Sequence, residues 1–217
     1  MSEVQKHGFS FEQWIRDTFF GSYEGVYSQK WDVPAEHNRS KLVPAEFRGL
    51  PVSIKTTKQG SPVNLGDALR QFQVADDFVM ICGIWKQANR QEKHLVAIGA
   101  ALFRASAWRQ LWSPLKLAEI KELDLTVKDR GLSYVEARIR AKQWQALHKP
   151  RSEANLRINP KIDSKEQRRV QCSLPFTTYC EVAGLSATVL EAGIASAELF
   201  GKRYPGAIKS PPRTFRG

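Results

Sequence analysis

A serine, a lysine and two upstream acids are the residues of this chain best placed to do chemistry together. Ser53 and Lys55 stand two apart in Pro51-Val52-Ser53-Ile54-Lys55-Thr56-Thr57-Lys58, with Asp32 and Glu46 upstream. Alternation along an extended segment puts Ser53 and Lys55 on one face and Val52 and Ile54 on the other. The turn formers of Arg48-Gly49-Leu50-Pro51 separate this strand from Pro44-Ala45-Glu46. A chain folding back near Gly49 sets Glu46 opposite Ser53. An acid, a lysine and a free strand edge meeting at one point suit a divalent metal held beside a phosphodiester. Carboxylates are hard ligands, and an ammonium offsets the charge that grows at phosphorus during attack.

The surrounding pattern supplies elements to position such a group. Phe9 to Ile15 reads as a helix start with Ser10 as cap, Gln13 three residues on, and Phe11, Trp14 and Ile15 as its apolar face. Tyr23 to Trp31 reads as a short aromatic strand, Leu42 to Thr57 as a hairpin, and Asn64 to Phe72 as a helix with Leu65, Leu69 and Phe72 on one side. Phe78 to Trp85 is continuously apolar, as a strand buried on both faces must be. After a turn at Ala88 to Gln91, His94 to Phe103 returns as its partner. Helices are expected at Ala105–Trp112, Pro114–Lys128, Ser133–His148 and Ser186–Phe200, with Tyr134, Ala137, Ala141 and Trp144 as the packed face of the third. Pro150 to Pro160 reads as a loop, Val170 to Phe176 as a strand, and the tail around Pro211-Pro212 as frayed.

This order, with the residues above, resembles the type II restriction endonucleases of the PD-(D/E)XK nuclease superfamily. The resemblance rests on Lys30-Trp31-Asp32-Val33-Pro34, on Pro51 to Lys58, on Leu65-Gly66-Asp67-Ala68-Leu69-Arg70 and on Asn159 to Ser173. Together these cover about a sixth of the chain. It implies an α/β fold, a central mixed β-sheet flanked by helices, with a mostly helical C-terminal portion. Residues 1–103 are then the nuclease core, and 104–217 a helical, DNA-recognising portion completing the same domain. It implies Mg²⁺-dependent, sequence-specific hydrolysis of double-stranded DNA leaving 5′-phosphate and 3′-hydroxyl ends. It further implies a homodimer, and a cognate DNA methyltransferase that accompanies the enzyme genetically without forming a stable complex.

By the same resemblance Lys55, Asp32, Glu46 and Ser53 are the candidate catalytic residues. Asp32, Glu46, Ile54 and Glu12 are the candidate metal ligands. Asp32 matches the motif by its Trp-Asp-Val-Pro setting and Glu46 by its spacing, with Pro44 two residues before it. The chain departs from the pattern at Ser53, where an acid is usual. A hydroxyl carries no charge at neutral pH, so another carboxylate must compensate: Glu46, Glu12 or Asp67. Lys58 is a candidate phosphate contact. Lys161, Asp163, Ser164, Lys165, Gln167, Arg168, Arg169 and Gln171 mix donors and acceptors as base readout requires, where a purely electrostatic grip would be mostly Lys and Arg.

Composition narrows the alternatives. The chain has 217 residues and a net charge of +11. From Arg138 onward there are 15 Lys/Arg against 6 Asp/Glu, which is +9 of that total. A basic half beside a balanced half points to a polyanion, nucleic acid rather than a membrane surface. No stretch is apolar enough to span a bilayer, and the start lacks a signal-peptide core, so a cytoplasmic protein is expected. Cys82, Cys172 and Cys180 form no zinc or disulfide pattern. The four histidines have no metal spacing and no G-x-S-x-G elbow exists, which disfavours histidine nucleases and serine hydrolases. Two other readings fit the residues: a structure-specific junction or repair nuclease, and a DNA-binding protein whose nuclease site has decayed at Ser53.

Overall fold

Apolar continuity from Phe78 onward becomes the centre of a mixed sheet. In the computed structural model, which describes residues 3–25, 30–89, 92–163, 167–191, 197–205 and 208–209, β3 (Phe78–Gln87) lies between β1 (Val52–Lys58) and β4 (Glu92–Phe103). The β1 strand runs parallel to β3, β4 runs antiparallel, and β9 (Ile208–Lys209) extends the far edge. Helix α1 (Glu3–Phe19) packs across β1, burying Phe11, Ile15 and Phe19 at four-residue spacing against Val52, Ile54, Val79 and Ile81. Gly83 permits this approach, because a Cβ there would come within 3.0 Å of the Phe11 ring.

The opposite face is held by α6 (Phe176–Ala183) and α7 (Ala187–Glu191). Fully buried Tyr179 donates its hydroxyl to the Gly99 carbonyl (2.7 Å) and accepts from the Cys82 amide (3.1 Å), pinning the two central strands. Both faces are covered, which is why β3 carries no polar alternation.

The chain divides into two compact units. One comprises Met1–Ser61, Asp77–Phe103 and Tyr179–Gly217; the other comprises Pro62–Asp76 and Arg104–Thr178. The second is built on an antiparallel sheet of order β2-β6-β5, from β2 (Val63–Asp67), β6 (Arg168–Leu174) and β5 (Arg157–Ile162). Helices α4 (Leu117–Lys128) and α5 (Tyr134–Leu147) pack on it. Their buried residues include Ile120, Leu123, Val127, Ala137, Ala141 and Trp144. Short helices α2 (Ala68–Phe72) and α3 (Ala105–Gln110) complete it, joined by the Trp108 indole N–H bond to the Gln71 carbonyl at 3.0 Å.

The mixed sheet flanked by helices agrees with the expected architecture. Several local expectations do not. Ser10 is no cap: α1 begins at Glu3, and the Ser10 hydroxyl bonds Tyr204 inside the helix. The segment 64–72 is a strand followed by one helical turn, with Asp67 as its cap accepting from the Arg70 amide at 2.8 Å. β6 matches the strand expected over 170–176, but the segment read as loop before it carries β5, and Pro160 lies inside that strand. That placement is allowed because β5 is the sheet's edge and pairs only with β6. Among the described residues of 186–200, α7 covers Ala187–Glu191 and strand β7 (Glu198–Leu199) takes the place of helix at the end; β7 pairs with β8 (Lys202–Arg203). The 23–31 segment contributes no strand among its described residues.

The expected hairpin over 42–57 is likewise absent. Ala45–Phe47 form a 3-10 turn. The loop around it is organised by fully buried Asn38, whose amide donates to the Phe47 (2.7 Å) and Leu50 (2.9 Å) carbonyls. Gly49 turns the chain at φ +73, donating its amide to the Asn38 carbonyl at 2.8 Å. The residue that pairs antiparallel with Val52 is Val33.

Candidate active site on the open edge of β1

The Val33–Val52 bridge decides which acid reaches the strand. Val33 and Val52 exchange both main-chain bonds (3.1 and 2.8 Å), which sets Asp32 beside the outward-facing amide of Ile54. β1 is the edge of its sheet, and its other side is committed to β3. The main-chain groups of Ile54 therefore face away from the sheet. Asp32 Oδ2 accepts from the Ile54 amide at 2.5 Å, from the Lys55 ammonium at 2.9 Å and from the Ser53 hydroxyl at 3.3 Å. The same ammonium donates to the Ile54 carbonyl at 2.9 Å. Asp32 and Lys55 are partly open to water, with side chains 27% and 22% exposed, while Ser53 is buried.

The second acid comes from α1. Glu12 and Arg16 are one turn apart on the helix, adjoining its buried stripe, and pair at 2.5 Å. Arg16 also donates to the Asp32 carbonyl at 3.1 Å, so one guanidinium ties α1 to the Asp32 segment. Burial pushes the Glu12 carboxyl above the usual carboxylate range. The Asp32 charge pushes the same way, and Arg16 and Lys55 lower it by less. Glu12, Asp32 and Lys55 thus sense one another electrostatically.

Two of the four expected acids join this group and two do not. Asp32 and Glu12 are in it. Glu46 is exposed on its 3-10 turn, with no ion pair or hydrogen bond to the group among the described residues. The reason is that the Asn38-centred loop replaces the hairpin that would have set it opposite Ser53. Asp67 is spent as a helix cap. Lys58 is exposed at the end of β1. Arg16 was missed by sequence reasoning, although its position four residues after Glu12 on an amphipathic helix was a usable signal.

The chain matches no family model, no curated protein and no solved structure. What the group can do must therefore be read from its own chemistry. Among the described residues no three His, Cys, Asp or Glu side chains gather as a metal cluster. The donors instead are two carboxylates, a main-chain carbonyl and a hydroxyl. All are hard oxygens, which suits Mg²⁺ or Ca²⁺ and not a soft metal. The ammonium of Lys55 rests on two of these oxygens, Asp32 Oδ2 and the Ile54 carbonyl, and so marks them as cation-binding.

The expected DNA-contacting residues separate along a hairpin. Lys161, one residue before the end of β5, pairs with Arg169 on β6, and both are exposed. Gln171 is half-buried and pairs with Asn159. Asp163 accepts from the Gln167 amide at 3.0 Å. Ser164 and Lys165 lie outside the described residues. The guanidinium of Arg168 donates to the carbonyls of Asp129 and Leu132, between α4 and α5, and clasps that loop. The alternation of β6 turns Arg168 to the inner face and Arg169 and Gln171 to the outer one.

Proposed function

We propose that the chain is a Mg²⁺-dependent endonuclease of double-stranded DNA, built like a type II restriction endonuclease with a Ser-x-Lys form of the active-site motif. One observation carries this reading: the Asp32 carboxylate, the Ile54 carbonyl and the Lys55 ammonium converge on an open strand edge. Asp32, the Ile54 carbonyl and Glu12 are the residues that would hold the ion, with Glu12 supplying the negative charge that Ser53 cannot. When bound, the ion supplies Lewis acidity, lowering the pKa of a water and stabilising the leaving oxygen.

The protein's own groups do the rest. Arg16 fixes Glu12 relative to Asp32, so both carboxylates are oriented before substrate arrives. Lys55, released from its two oxygens, is a flexible cation at the mouth of the site. It stabilises the charge that builds on the phosphoryl oxygens as a water oxygen attacks phosphorus in line. The P–O3′ bond breaks, the 3′-oxygen takes a proton, and 5′-phosphate and 3′-hydroxyl ends result. The basic second half of the chain supports a polyanionic substrate, and a homodimer would place two such sites on the two strands.

Incubation of the protein with duplex fragments and Mg²⁺, followed by end mapping, tests this reading. Fixed-position cuts that EDTA abolishes are expected. Duplex binding without cleavage under any divalent metal would instead favour the second reading, a DNA-binding protein with a decayed site, which the serine at position 53 favours. Cleavage confined to branched or damaged DNA would favour a structure-specific nuclease.

A further inference from the structure

The β2-β6-β5 sheet has one face packed on α4 and α5; on the other, Arg157, Lys161 and Arg169 are exposed, Asn159 and Gln171 are half-buried and Ser173 is buried. Ile158, Val170 and Cys172 fill the packed face. The register pairs Arg157 with Ser173, Asn159 with Gln171, and Lys161 with Arg169. Residues directly opposite in an antiparallel pair share a face, so these six line the outer one. They comprise three cations, two amides and a hydroxyl. Asp67 on β2, opposite Gln171, puts one exposed carboxylate on the same face, where its Oδ1 accepts from the Arg70 amide at 2.8 Å. The cations outnumber it three to one, which suits a polyanion.

The polar groups of this face differ in what they leave open. The Asn159 side-chain NH₂ donates to the Ser173 hydroxyl at 2.8 Å and the Arg157 carbonyl at 3.3 Å, so its remaining capacity is its acceptor oxygen. Gln171 makes no side-chain bond among the described residues and keeps both a donor and an acceptor. That pair matches the N6 and N7 edge of adenine. At the β5 edge, Arg138 and Lys142 of α5 join Lys161 and one carboxylate, Asp163, in lining a groove of about 260 Å³. A two-stranded ribbon fits the DNA major groove, which is about 12 Å wide.

We propose that this face reads base edges in the major groove of duplex DNA, with Gln171 recognising an adenine and Lys161, Arg169 and Arg138 gripping the flanking phosphates. The proposal rests on the nuclease reading for its substrate, and names where that substrate is read. It uses the outer face of the sheet rather than the linear run of residues 161–171, and leaves Arg168 out.

The test is selection of duplexes from a random library by the full chain in Ca²⁺, with matched single strands and RNA as competitors. Wild type is expected to enrich a duplex motif. Gln171→Ala should weaken binding to that motif by roughly 5- to 150-fold while leaving random duplex unchanged. Gln171→Glu, an isosteric change that keeps only acceptors, should shift one position from A·T to C·G, since a carboxylate accepts from cytosine N4. Arg169→Ala should weaken all duplexes alike and lower the salt slope by about one. Failure to enrich a motif, preference for RNA, or an unchanged motif in both Gln171 variants would overturn the proposal. A Gln171-dependent motif without Mg²⁺ cleavage would refute the nuclease reading alone. Cleavage at a motif indifferent to Gln171 would refute this one alone.

Discussion

Replacing Lys55 by methionine should make the protein bind divalent metal more tightly while it stops cutting DNA. The Lys55 ammonium lies 2.9 Å from both Asp32 Oδ2 and the Ile54 carbonyl, the oxygens assigned to the ion. Metal must displace this cation or share the site with it. A divalent and a monovalent charge about 5 Å apart repel by roughly 1.7 kcal/mol at the dielectric of water and about 7 kcal/mol at an effective dielectric of 20. Because Asp32 and Lys55 are about a quarter exposed, the lower part of that range applies, which is at least about tenfold in affinity. Methionine keeps most of the apolar stem and removes the charge. Titration of the DNA-free protein with Mn²⁺, by calorimetry, reads the effect without any catalytic step. Equal or weaker Mn²⁺ binding by a variant whose unfolding midpoint is unchanged would refute the idea that the ammonium occupies the ion's oxygens.

Asp32→Asn should lower Mg²⁺-dependent cleavage by at least about a hundredfold, and Glu46→Ala should leave it nearly unaltered; a severe Glu46 defect would restore the spacing-based assignment. Glu12→Gln should raise the urea midpoint of the metal-free protein at pH 7.5. Burial raises the folded-state pKa of Glu12, so the folded form binds more protons than the unfolded one, and stability falls as pH rises through that pKa. The gain should vanish below the unfolded pKa of about 4.3, and a lower midpoint at pH 7.5 would contradict this. Tyr179→Phe should cost about 1–3 kcal/mol in urea unfolding, because it strands the buried Cys82 amide and Gly99 carbonyl; an unchanged midpoint would show that those groups find other partners.

What was legible in the sequence was set by local pattern. The apolar run of β3, the alternation of β1 and the buried stripe of α5 follow from side-chain periodicity, and structure and expectation agree there apart from Tyr134, which is exposed. Asp32, Ser53 and Lys55 were legible as a set because the strand that carries two of them is strongly patterned. The loop from 34 to 51 was not, since its shape depends on one buried asparagine bonding four backbone groups, which has no periodic signature. Pro160 masked β5, because its tolerance depends on an edge position that only the tertiary pairing creates. The helical spacing of Leu65, Leu69 and Phe72 masked β2, whose register shifts between Asn64 and Gly66. Arg168 and Arg169 are adjacent and chemically identical, yet strand alternation gives one to the fold and the other to solvent.

The central claim is that Asp32 and Lys55 form a hydrolytic site, and end mapping on plasmid DNA with wild type, Asp32→Asn and Lys55→Ala in parallel tests it most directly. Mg²⁺-dependent cuts at fixed positions with 5′-phosphate and 3′-hydroxyl ends are expected, lost in both variants, while Lys55→Ala still binds the same duplex within about tenfold. Intact plasmid with wild-type protein across Mg²⁺, Mn²⁺ and Ca²⁺, or equal cutting by all three proteins, would contradict it.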